Sequence, residues 1–128
     1  MGSRQTPQSY PQERQIPLKE LKAAIKQFIR ERDWEQYHDP KNLAMALTVE
    51  ASEILEIFQW QHSGANLSPA EQQALAEEIG DVFIYLLELA DKFGIDVIEA
   101  ARQKLDINKQ KYPADLVRGK AKTYTDYP

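Results

Sequence analysis

Apolar side chains return every three or four residues along most of this chain, which is the signature of helices packed on one side. Leu18, Leu21, Ile25, Phe28 and Ile29 form the first run. With Pro17 suited to a first helical turn, they predict a helix over about residues 18–33. Asp39 followed by Pro40 reads as an N-cap and a first-turn proline, opening a second helix over about 40–61. Ser68-Pro69-Ala70-Glu71 has the form of a capping box and starts a third, over about 69–93. Gly94 suits the residue after a helix end, and Asp96 with Glu99 begins a fourth helix over about 97–111. No strand-like run competes with these elements, so the expected fold is an all-α four-helix bundle over 17–113. The polar stretch 1–16 is expected to be a flexible arm, and 114–128 a C-terminal arm.

The faces of the middle helices carry an anomaly. At about 100° per residue, Leu43, Leu47, Glu50, Ile54 and Ile57 fall on one narrow stripe, with Thr48, Ser52, Glu56 and Gln59 opposite. Glu50 therefore stands where a leucine is expected, and Glu53 lies at the border of the stripe. In the third helix Leu75, Ile79, Val82, Phe83, Leu86, Leu89, Ala90 and Phe93 make a broad apolar face, widened by Ile84 and Leu87. Glu78 lies inside that face, Asp81 at its edge, and Tyr85 one turn beyond. Trp60, if the second helix reaches 61, lies on nearly the same line as Glu53. The fourth helix has Ile98, Ala101 and Leu105 on its expected inner face and Lys104, Asn108 and Lys111 beside it. The third helix exposes more apolar surface than one short bundle covers, which predicts a homo-oligomer with the site near the subunit contact.

Charge sharpens the anomaly. Between Asn42 and Asp91 there are nine carboxylates and no Lys or Arg, although the chain has 16 basic residues and a net charge of -4. Burying an unpaired carboxylate costs several kcal/mol or more. Two helices in antiparallel contact would bring Glu50, Glu53, Glu78 and Asp81 together, so a cation is expected among them. An all-oxygen donor set suits a hard ion such as Mg²⁺, or Mn²⁺ in its place, and such ions commonly bind through substrate phosphates. Di-iron bundles need a Glu-x-x-His from each of two helices, and of the two histidines, His38 and His62, only His38 lies three residues after a glutamate. The chain has no cysteine, which excludes thiolate metal sites and thiol nucleophiles. It has no apolar run of membrane-spanning length and no signal-peptide core, and its acidity argues against general nucleic-acid binding. A cytoplasmic protein is expected.

Four segments, ERDWEQYHDPKNLAMAL, VEASEILEIFQW, EEIGDVFIYL and KLDINKQKYP, resemble in order the all-α MazG-like nucleoside triphosphate pyrophosphohydrolases. The resemblance is strongest to the dCTP pyrophosphatase branch, covers Leu18 to Pro113 and extends weakly into RGKAKTYTD. It implies hydrolysis of a nucleoside triphosphate between the α- and β-phosphates to monophosphate and pyrophosphate, as in nucleotide-pool cleaning. It also implies Mg²⁺ binding and catalysis by Glu50, Glu53, Glu78 and Asp81. One of the glutamates would take a proton from the attacking water. Which one is left open, with Glu53 the first to test. Trp34, Trp60, Tyr85 and Asn108 would surround the nucleobase, with Lys104 near the phosphates, and a dimer or a tetramer of dimers would fit the family. The chain departs from many relatives in having Val49 and Ser52, where glycine often precedes each acid of the first pair. Altered packing is expected from this rather than lost metal binding. The alternative reading is a non-catalytic helical module that binds a metal or a basic partner.

Overall fold

A computed structural model describes residues 17–62 and 66–121. Among them every regular element is helical: α1 (Leu18–Glu31), a 3₁₀ turn (Glu35–Tyr37), α2 (Pro40–Phe58), α3 (Pro69–Lys92), α4 (Val97–Lys111) and a short α5 (Ala114–Val117). The all-α expectation holds, with α5 forming where a loop was expected. The arm expected over 1–16 lies outside the described residues, as does the end of the chain from 122 onward. No helix of the described residues is long and apolar enough to cross a membrane. The chain divides into two compact units, Met1–Asn42 and Leu43–Pro128, which are taken in turn.

In the N-terminal unit, α1 buries Ile25 and Ile29, one turn apart on the predicted face. It ends two residues before the predicted limit because the backbone closes in a Schellman turn. The N–H of Asp33 donates to Arg30 O at 3.1 Å, and the N–H of Trp34 reaches back to Ile29 O at 3.1 Å. The pivot, Asp33, sits in the left-handed region at φ 54°. That region costs an L-residue roughly 1–2 kcal/mol, and aspartate is among the few that tolerate it. Gln36 Nε2 then donates to Asp33 O at 2.9 Å and to its Oδ2 at 3.2 Å, tying the turn to the 3₁₀ segment. Asp39 caps α2 as expected, accepting the N–H of Asn42 at 2.8 Å.

In the second unit, α2 and α3 run antiparallel. Gln61, just beyond α2, donates through Nε2 to Glu71 Oε2 near the start of α3 at 2.9 Å. Further along, Glu50 of α2 meets Glu78 and Asp81 of α3. The same register carries Leu43 to the level of Leu87, and these are the most enclosed side chains of the two helices at 1% and 2% exposure. The α2 stripe is as predicted, with Leu47, Glu50, Ile54 and Ile57 half-buried and Thr48, Ser52, Glu56 and Gln59 exposed. The helix stops at Phe58 rather than 61, because Gln59 and Gln61 turn back onto Glu56 O and Phe58 O in tight i→i+3 bonds.

Helix α3 starts on the predicted capping box. Glu71 N–H donates to Ser68 Oγ at 3.1 Å and Ser68 N–H to Glu71 Oε1 at 3.0 Å. The Ser68 backbone and hydroxyl, then the Gln61 amide, hold the Glu71 carboxyl below its ordinary range. At the other end Gly94 (φ 64°) makes a second Schellman turn, with Gly94 N–H on Asp91 O and Ile95 N–H on Ala90 O. Asp96 then caps α4 through the N–H groups of Ile98 and Glu99. The expected inner face of α4 is not buried: Ile98, Ala101 and Leu105 are exposed, and nothing on this helix is enclosed. On α3, Ile79, Phe83 and Leu86 are exposed as well, as is Phe93 just past its end. These apolar side chains are left uncovered by the described residues.

Replacing Ser68 with Ala should lower stability by about 1 kcal/mol in urea titration, the usual worth of an N-cap. Because the folded-state pKa of Glu71 is depressed, its contribution is present above the unfolded value of 4.5 and is lost as pH falls through the folded one. The gap between Ser68→Ala and the parent chain should therefore narrow on acidification.

Candidate metal and catalytic site

The antiparallel register of α2 and α3 decides which side chains meet. Glu50 and Glu53 are neighbours on one side of α2, and Glu78 and Asp81 on one side of α3, three residues apart in each case. One carboxylate oxygen from each of Glu50, Glu78 and Asp81 lies within 4.8 Å of the others. Glu50 and Glu78 are half-buried and Asp81 is exposed, so the group opens to solvent on the Asp81 side. Glu53, also half-buried, stands in hydrogen-bonding range of both Glu50 and Glu78.

Two of these carboxylates are poorly accommodated as anions. Oε2 of Glu50 and Oε2 of Glu78 are buried and accept from no donor. Carboxylates can bond each other only by sharing a proton, and the electrostatics show this. Glu78 is pushed up to about 7, first by its bond with Glu50, then by that with Glu53, by burial and by the charges of both. For Glu50 the bond with Glu78 pulls downward. Burial, the bond with Glu53 and the charges of Glu53 and Asp81 outweigh it, so its carboxyl is raised too. A bound proton is a partial answer to this crowding, and a divalent cation is a fuller one. The donor set is all oxygen and anionic, with two enclosed oxygens lacking donors, which fits a hard cation held by Glu50, Glu78 and Asp81 with Glu53 alongside.

The other predicted residues are spread over the two units. Tyr85 is half-buried one turn past Asp81. Burial, then the charges of Glu50, Glu88 and Asp81, raise its phenol, which stays a neutral hydrogen-bonding group beside the carboxylates. Trp60 does not lie on the Glu53 line: α2 has ended, and the indole sits on the following turn, 90% exposed. Lys104 is exposed and Asn108 half-buried on α4, and among the described residues no hydrogen bond or ion pair links either to the carboxylates. Trp34 comes directly after the Asp33 turn in the N-terminal unit, 42% exposed. Sequence reasoning overlooked Glu88. It is half-buried, its Oε2 is closed off from solvent, and its charge acts on Tyr85. The spacing of Asp81, Tyr85 and Glu88 at four and three residues carried that signal.

The profile of the MazG-like family matches residues 45–127, which include all four carboxylates. Human dCTP pyrophosphatase 1 is 43% identical over 115 residues, spanning 87% of this chain and 68% of its own length. The mouse protein of the same name is 44% identical over the same extent. Among solved structures, a pyrophosphatase from Archaeoglobus fulgidus DSM 4304 superposes with a TM-score of 0.64 at 41% identity, covering 74% of this chain and 91% of its own.

The folded chain holds a proton on Glu78 more tightly than the unfolded one, about 7 against 4.5. Its contribution to stability is complete below the unfolded value and is lost as pH rises through the folded one. In chelator, the Tm of the parent chain should therefore decline more between about pH 5 and 8 than that of Glu78→Gln. Mg²⁺ should restore the parent most at the upper end, and binding near pH 7 should release protons, measurable by calorimetry in two buffers.

Proposed function

The chain belongs to the MazG-like family and is a nucleoside triphosphate pyrophosphohydrolase, and we propose that its substrate is dCTP or a modified dCTP, split to the monophosphate and pyrophosphate. The observation that supports the site is the enclosed carboxylate group, which a structural surface cluster would leave in water. The similarity to dCTP pyrophosphatases supports the base. The non-catalytic module considered from sequence gives way to the enzyme, because it offers no reason for these relatives.

In the proposed reaction Glu50, Glu78 and Asp81 hold Mg²⁺, and Glu53 completes the set. Held there, Mg²⁺ would supply charge to offset that of the phosphates and would lower the pKa of a water. Glu53 shares hydrogen bonds with two of the other acids. With Glu50 and Glu78 committed to holding the cation, the Glu53 carboxylate would be the one to accept the proton of the attacking water. Asp81, on the open side, is the first carboxylate an incoming ion meets. The Tyr85 phenol, kept neutral, can donate a hydrogen bond without adding a further charge. Lys104 is assigned to the phosphates, Asn108 to the pyrimidine edge, and the exposed indoles of Trp34 and Trp60 to stacking on the base.

We also assign a homo-oligomer, dimeric or a tetramer of dimers, in which the exposed apolar faces of α3 and α4 are covered. Light scattering should give a mass that is a multiple of 14.7 kDa, and Leu105→Glu should reduce it.

With Mg²⁺ and a panel of triphosphates, dCTP or a C5-modified dCTP should give the highest kcat/KM, with pyrophosphate and monophosphate as products. Diphosphate as product, or no turnover of any triphosphate, refutes the proposal. Glu53→Gln should lower kcat by about a hundredfold or more. Glu78→Gln should abolish turnover while raising Tm in chelator, since it removes a crowded carboxylate.

A further inference from the structure

The turn that ends α1 is built more elaborately than helix termination requires. In a Schellman turn the residue after the left-handed pivot often packs on the fourth residue from the helix end. Here that residue is Trp34 and its neighbour is Phe28. Their ring centroids are 5.7 Å apart at 77°, an edge-to-face contact. Arg32 closes Phe28 from another side. Its guanidinium carbon lies 3.8 Å from the ring centroid, and its Nη1 donates to Phe28 O at 3.0 Å.

An edge-to-face contact occupies either the edge of the indole or one of its faces. In both cases Phe28 leaves at least one indole face free, and Trp34 is 42% exposed. The backbone beneath the ring is fixed by the bond from Trp34 N–H to Ile29 O, and Ile29 is buried. The backbone bond therefore fixes where the side chain starts, and the Phe28 ring contact restrains how the indole is turned.

The choice of pivot is informative. The chain builds the same turn after α3 with Gly94, the residue that carries no penalty at φ 64°. At the corresponding place before Trp34 it uses Asp33 at φ 54°. Aspartate adds its carboxylate bond to Gln36 and a narrower range of backbone conformations, both of which restrain the neighbouring Trp34. Glycine would end the helix at least as well but would leave the Trp34 backbone freer to rotate.

We propose that Phe28 and Asp33 are positioning residues that hold the Trp34 indole as a preoriented stacking platform for the planar base of the nucleotide. The proposal rests on the assignment of Trp34 to the base. A platform that binds ground state and transition state alike acts on KM and leaves kcat alone.

The test is steady-state kinetics on dCTP with Mg²⁺ for the full chain, alongside Tm, in Trp34→Ala, Asp33→Gly, Asp33→Asn, Phe28→Ala and Phe28→Leu. Trp34→Ala should raise KM about tenfold or more with little change in kcat. Asp33→Gly should raise KM about threefold or more with Tm equal to or above the parent value, and Asp33→Asn should restore KM. Phe28→Ala should raise KM, and Phe28→Leu, which keeps bulk but loses the ring edge, should recover folding without recovering KM. If Asp33→Gly folds with an unchanged KM while Trp34→Ala is impaired, the platform stands and the positioning role is overturned. If Trp34→Ala itself leaves KM unchanged, the base assignment has failed and the positioning role falls with it. A parallel loss of kcat and Tm in Asp33→Gly would show a merely structural turn and likewise overturn the proposal.

Discussion

Carboxylates that face one another between two apolar helices are the constraint on which the second unit is built. Glu50 and Glu78 are half-buried, each with an oxygen that accepts no hydrogen bond, and from Asn42 to Asp91 there is no lysine or arginine to answer them. A cationic side chain on the body of α2 or α3 would relieve the crowding and stabilise the apo protein. It would also occupy the charge that the site needs for its ligand. The chain instead leaves the repulsion unanswered and partly titrated, with Glu78 near neutrality. A divalent ion taken up by such a group would displace a proton, and the stability missing from the apo state would reappear as ion affinity.

That arrangement demands an accurate register between α2 and α3, and the helix ends provide it. Glu71 does three things at once: it completes the capping box with Ser68, accepts from the Ser68 backbone, and receives the Gln61 amide from beyond the end of α2. Leu43 of α2 and Leu87 of α3 are the most enclosed side chains of the pair. Between these two fixtures the acids are held on helical backbone, whose i and i+3 positions cannot drift apart as loop residues can. Apolar residues of α3 and α4 are exposed among the described residues, and the homo-oligomer is proposed from that exposure.

The parts legible in the sequence were those governed by local chemistry. Helical period placed Glu50 and Glu78 on enclosed faces, and the Ser68 and Asp96 caps were found at the predicted residues. Local pattern did not convey how segments end or what covers a face. Trp60 was placed on a helix that stops at Phe58, because nothing in FQWQH announces the i→i+3 turns that close it. Periodicity identified the apolar face of α4, but it does not say what covers it, and among the described residues Ile98, Ala101 and Leu105 are exposed. Asp33 was invisible as a pivot, since the usual signal for a left-handed residue is glycine. Glu88 belongs to neither acid pair, and its signal is only its place one turn from Tyr85, whose phenol is raised by burial and then by the charges of Glu50, Glu88 and Asp81.

The dependence of each part on its own local structure separates two tasks that a nucleotide enzyme must combine. Carboxylate geometry comes from the α2–α3 register and the burial of two glutamates. Trp34 is set by a turn whose bonds all lie between Phe28 and Gln36. A substitution in the turn leaves the register intact, and one among the acids leaves the indole where it is. On the proposed assignment of Trp34 to the base, phosphate chemistry would be free to stay fixed while the stacking surface changes. Within this chain the turn has gone to a residue that strains the backbone and restrains the adjacent Trp34, where Gly94 shows that the relaxed version was available. Strain kept where glycine would serve is better explained by the orientation of Trp34 than by the stability of α1.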